Sequence, residues 1–148
     1  MGDRIVIDVT DGRSRTPSFY GHWCGLRAVK VMNDLVREGC DNGIHSLMCN
    51  FITEVMQNRR QRYSYYLYNH GETEGAADWD NFTWTMDVRT QTWTTTDPAF
   101  SGRTISMDEA DQYVKKIRPC LYRECRCEEY GSAGCALRFC ELQEEGGS

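Results

Sequence analysis

The chain has 148 residues, about one domain, and carries 17 Lys+Arg against 22 Asp+Glu for a formal charge of −5. That balance argues against a general binder of nucleic acid or of an anionic membrane, because both need a basic field. No apolar run approaches the roughly 20 residues of a transmembrane helix, and the 11% aromatic content excludes a disordered acidic chain.

Residues 4–10 alternate, with Ile5, Ile7 and Val9 on one face, which predicts a half-buried strand. Asp11-Gly12-Arg13-Ser14 reads as a turn, and residues 15–22, with Pro17 and Gly21, as a loop. Ala28, Val31, Met32, Leu35 and Val36 then recur at three and four, predicting a helix over 23–38. Gly39 is placed for a left-handed C-cap. From Ile44 to Met56 the alternation of Leu47, Cys49, Phe51, Thr53 and Val55 predicts a long strand. A third strand is expected over Tyr63, Tyr65 and Leu67, with Tyr66 and Tyr68 on the reverse face. Residues 71–80 form a loop with Glu72, Glu74, Asp78 and Asp80, expected to be exposed, mobile and available as a contact surface. Phe82, Trp84, Met86 and Val88 mark a fourth strand, hairpinned with the third, and Trp93 a bulge or short fifth strand. Residues 94–102 read as loop. Ser106-Met107-Asp108-Glu109 is a capping box opening a helix over 106–118. A last strand is expected near 136–142. The order predicts a single α+β domain spanning 1–148. Its largely antiparallel sheet of four or five strands is stabilised by disulfides and carries two main helices side by side on one face, with Ala28, Leu35, Tyr113 and Ile117 buried.

Eight cysteines stand at Cys24, Cys40, Cys49, Cys120, Cys125, Cys127, Cys135 and Cys140. There is no Cys-x-x-Cys pair. Cys120 and Cys125, and Cys135 and Cys140, have a spacer that structural zinc tolerates, but disulfides in an oxidising compartment account for all eight together. Three cysteines precede residue 50 and five follow residue 119. Full pairing therefore requires at least one bridge between the groups. The expected compartment is extracellular, with the chain a mature secreted form. Asn81-Phe82-Thr83 is a glycosylation sequon.

Sparse chemistry accompanies this frame. The three histidines are His22, His45 and His70. His22 and Cys24 could form a nucleophile pair only if Cys24 were a free, activated thiol. A small ribonuclease would need proton-transfer groups and a cation from among His45, His70, Glu54, Arg60 and Arg62. A histidine within about 4 Å of Glu54 or of an arginine in a cleft would favour an enzyme. No phosphate loop, zincin motif or serine-hydrolase elbow is present, and no metal or cofactor is expected.

The cysteine count and the strand–helix–strands–helix–strand order resemble the LARS family of secreted fungal avirulence effectors, which act in plant hosts. Ala136-Leu137-Arg138-Phe139 is a partial counterpart of that family's Trp-Arg-aliphatic segment. The resemblance implies a non-catalytic, monomeric protein of the plant apoplast, able to enter host cells later. It would act on a host plant protein or be recognised by an immune receptor, with no nucleic-acid or membrane partner. A secreted killer toxin or ribonuclease-like enzyme is the alternative.

Overall fold

The β-branched run at the start of the chain forms strand β1, Ile5–Thr10, which lies inside a six-stranded sheet. The computed structural model describes residues 3–39, 42–56 and 65–122, with Cys120 described in its backbone alone. The other strands are β2 (Ser18–Gly21), β3 (Tyr65–Tyr68), β4 (Thr83–Asp87), β5 (Thr92–Thr95) and β6 (Ile105–Ser106), in the order β3-β2-β1-β4-β5-β6. All neighbours are antiparallel except β1 and β4, which run parallel. The α+β class stands, with a mixed rather than purely antiparallel sheet.

Register decides the two faces. Phe19, Ile7 and Trp84 lie opposite one another, as do Val9, Met86, Trp93 and Ile105. All are buried. Helices α1 (Arg27–Glu38), α2 (Ile44–Val55) and α3 (Met107–Ile117) cover this face. Phe51 of α2 meets Phe19 edge-on at 5.0 Å, and Trp84, Phe100 and Tyr113 of α3 form an aromatic cluster. Asn33 of α1, fully buried, accepts from the Trp93 indole at 2.7 Å and donates to the Met107 carbonyl and to Asp111. One amide thus ties α1, β5 and α3 together.

Several expectations require correction. Residues 44–55 are helix, not strand. Ile44, Leu47, Met48, Phe51 and Val55 are its buried residues, at helical spacing, while Cys49 and Thr53 of the supposed alternation are exposed. Among the described residues two main helices therefore become three, still on one face. The presumed loop at 15–22 contains β2, and β3 pairs with β2 instead of forming a hairpin with β4. Trp93 belongs to a true fifth strand. Strand β1 is buried on both faces, since Val6 and Asp8 are as enclosed as Ile5 and Ile7. Leu35 and Tyr113 are half-buried and Ile117 is 41% exposed, so of the four residues expected inside only Ala28 is fully so.

The helix ends are legible in part. Gly39 closes α1 with its N–H on the Leu35 and Val36 carbonyls, but at φ 114° and ψ 147° it is not the left-handed cap expected. Ser106 caps α3 by accepting from the Glu109 N–H. The other half of the expected capping box is replaced, because the Glu109 carboxylate pairs with Arg103. The expected strand near 136–142 lies outside the described residues.

Cys24 and Cys49 are free thiols, the first buried and the second exposed, so the bridges expected of these two are not seen. Gly21 is required beside Cys24: a Cβ there would stand 2.3 Å from the Cys24 sulfur. The pairing expected of Cys40, Cys120, Cys125, Cys127, Cys135 and Cys140 falls outside the described side chains.

Candidate functional site

The sheet face turned away from the helices carries polar side chains. Asp8 lies at its centre with Thr85 directly opposite on β4 and Ser18 beside it on β2. Its side chain is 1% exposed, so a carboxylate here must collect donors or be neutralised. It accepts from the Thr85 hydroxyl, from Ser18 Oγ at 3.4 Å and from His70 Nδ1 at 3.2 Å. Arg15 Nη1 stands 4.0 Å from Asp8 Oδ2 and donates to His70 Nε2 at 2.9 Å. The Nδ1–H tautomer of His70 meets both contacts: Nδ1 donates to Asp8 and Nε2 accepts from Arg15. A buried carboxylate therefore orients a half-exposed imidazole, whose other nitrogen faces an arginine.

His70 opens the turn-rich loop that reaches β4. Buried Thr73 and Ala77 pin the loop to the sheet. Its far end is fastened to β1: the Asn81 N–H donates to the Arg4 carbonyl, and Arg4 donates to Asp80 through its main-chain N–H and its Nε, the latter at 2.7 Å. Burial pushes the Asp80 carboxyl up, but the hydrogen bonds and charge of Arg4 more than offset this and hold it below its ordinary value. Asp80 is therefore an anchor, which corrects the expectation that all four carboxylates of 71–80 are exposed. Glu72, Glu74 and Asp78 are exposed as expected.

Between this loop and the sheet lies an open cleft of about 600 Å³. Asp8 and His70 line it from the sheet side, with Glu74, Asp78, Trp79 and Phe82 from the loop. Trp79 is 93% exposed with φ 72°, and Phe82 has φ 67°. Bulky side chains rarely adopt that left-handed backbone. On the loop's other side a smaller depression is lined by Tyr20, His22, Tyr66, Tyr68 and Glu72.

Of the ribonuclease set, only His70 lines the cleft; His45 and Glu54 are exposed on α2, which covers the other face of the sheet, and Arg60 and Arg62 lie outside the described residues. The distance asked for is met by a different pair, His70 and Arg15 at 2.9 Å, although Arg15 does not line the cleft. The His22–Cys24 pair has no activated thiol. Burial, aided by Asp3, pushes the Cys24 thiol up to about 12, the opposite of what a nucleophile needs. His22 instead accepts from or donates to the Tyr20 hydroxyl and packs on Trp23. At the sequon, Asn81 Nδ2, the atom a glycan would take, already donates to Asp3 at 2.6 Å and to the Arg4 carbonyl at 3.0 Å. Among the described residues no group of three or more His, Cys, Asp or Glu is placed to hold a metal.

Asp8, Arg15 and Trp79 escaped the sequence reading. The signal for Asp8 was a carboxylate inside Ile5-Val6-Ile7-Asp8-Val9, which looked solvated because the strand was taken as half-buried. Compared with known protein families, curated proteins and solved structures, the chain has no match.

Proposed function

We propose that the protein is a secreted, cysteine-rich effector of the LARS type that acts by contact with a host plant protein or immune receptor. The observation that carries this is an aromatic surface on β3. Tyr66 and Tyr68 are 48% and 38% exposed on the sheet face turned away from the helices, while Leu67, 55% exposed, lies on the reverse face of the same strand. Tyr20 and Tyr66 stand 6.0 Å apart, centroid to centroid, and extend the patch onto β2. Exposed apolar patches mark interaction sites, and tyrosine is enriched among the residues that dominate interface energy. Infiltration of the purified protein into leaves of varied genotype tests this. A genotype-dependent response that is lost in Tyr66→Ala/Tyr68→Ala supports it. No response in any genotype, or an unchanged response to the variant, counts against it.

A second reading, an enzyme, is favoured by one observation: His70 is held by buried Asp8 and lies 2.9 Å from Arg15 beside a cleft. That arrangement suits an imidazole serving as a proton-transfer group to water. Hydrolysis of ester, RNA or glycosidic substrates that disappears in His70→Ala would support it.

A further inference from the structure

We propose that the cleft between the loop and the open face of the sheet is a binding site for a neutral oligosaccharide of β-linked pyranose units, with Trp79 as its stacking platform. The inference is independent of whether His70 moves a proton.

Three features converge on this ligand chemistry. The first is Trp79. An indole 93% exposed, on a backbone with φ 72°, forgoes burial and also carries local strain, a combination that clusters at ligand-holding positions. A pyranose ring with equatorial substituents presents a flat face of C–H groups that covers such an indole without burying any hydroxyl.

The second is the character of the lining. Glu74 and Asp78 supply acceptors, while the hydroxyls of Thr83 and Thr96 supply groups able to donate. A polyol donates and accepts through every hydroxyl and uses both kinds. A cation would use the carboxylates alone.

The third is charge. Asp8, Glu74 and Asp78 line the cleft, and among the described residues no lysine or arginine does. Arg15 stands behind His70, held to its ring. A phosphate or sulfate polymer would therefore enter a field of its own sign. The volume of about 600 Å³ lies within the range of small-molecule sites.

The test is calorimetric titration of the purified full chain, with tryptophan fluorescence read in parallel. The ligands are cellohexaose, a β-1,3-linked glucose hexamer and the β-1,4-linked hexamer of N-acetylglucosamine, beside octalysine and a hexaribonucleotide as charged comparators. Saturable binding of at least one hexasaccharide is expected, insensitive to salt and weakened about tenfold or more by Trp79→Ala. Glu74→Gln/Asp78→Asn should weaken it as well, and Tyr66→Ala should leave it unchanged. Trp79 is on the surface, so its variant should keep the wild-type circular dichroism and unfolding midpoint. No saturable binding of any hexasaccharide at millimolar concentration would overturn the proposal, as would wild-type affinity in Trp79→Ala. Salt-sensitive binding of octalysine without any saccharide binding would also overturn it and would assign the cleft to a cationic partner.

Discussion

Replacing Asn33 by leucine keeps the branching and heavy-atom number of a buried bridging side chain while deleting its polar atoms. The Trp93 N–H, which has no other partner in its buried site, is then orphaned at a cost of about 1–3 kcal/mol. The losses at the Met107 carbonyl and at Asp111 are about 0.5–1.5 kcal/mol each, because Asp111 keeps Tyr122 and Arg37. Burying the leucine offsets roughly 1.5–2 kcal/mol of this. The net destabilisation is about 2 kcal/mol, which for a chain of this size lowers the unfolding temperature by roughly 4–8 °C. Urea unfolding followed by far-ultraviolet circular dichroism measures it without relying on tryptophan emission. A double-mutant cycle with Trp93→Phe isolates the bond. The phenylalanine should cost at least about 1 kcal/mol less in the Asn33→Leu background than in the wild type, since its N–H is already unpaired there. A leucine variant within about 0.5 kcal/mol of wild type, or a cycle with no coupling, would refute the assignment of Asn33 as the bridge between α1, β5 and α3.

Removing the α3 cap by Ser106→Ala should cost about 1 kcal/mol, read from the same urea transition. The Asp80 carboxyl is held low by Arg4, so its contribution is present above the unfolded carboxylate value near about 3.9 and is lost as pH falls through the lowered folded value. Asp80→Asn should flatten the acid limb of the stability profile below about pH 4, and an unchanged limb would exclude the pair. In native alkylation mapped by mass spectrometry, Cys49 should label and Cys24 should not until the protein unfolds. In a non-reducing digest, any bridge joining the early and late cysteines should then use Cys40, the remaining member of the early group.

What the sequence made legible were features encoded within a few residues. The α3 cap rests on a serine three positions from a glutamate, and the end of α1 on a glycine that takes a positive φ. β4 declared itself through strict alternation of Trp84 and Met86 with threonines. Helix α2 was misread because its apolar residues satisfy two periods at once. Leu47, Phe51 and Val55 are spaced by four, an even number, so they fit an alternating strand as well as a helix. Ile44 and Met48 were the residues able to decide, since they fit only the helix. The partners of β1 were out of reach for another reason: pairing across a long stretch of chain leaves no local mark, and β2 hides in four residues between turns. The cleft inherits that limit, because Asp8, Arg15 and His70 meet only once the sheet order is known.

The parallel pair at the centre of the sheet also has a consequence for the order of assembly. Asp8 and Thr85 are neighbours in space but 77 residues apart in the chain. During synthesis β1 emerges first and can pair early with β2, yet its other edge stays open until β4 leaves the ribosome. Closing so long a stretch is entropically costly, and such non-local pairing slows folding. Throughout that interval an apolar strand edge is exposed, together with Cys24 and Cys49. In an oxidising compartment the nascent chain would therefore face its greatest risk of wrong disulfides and edge-to-edge association before residue 87 is made.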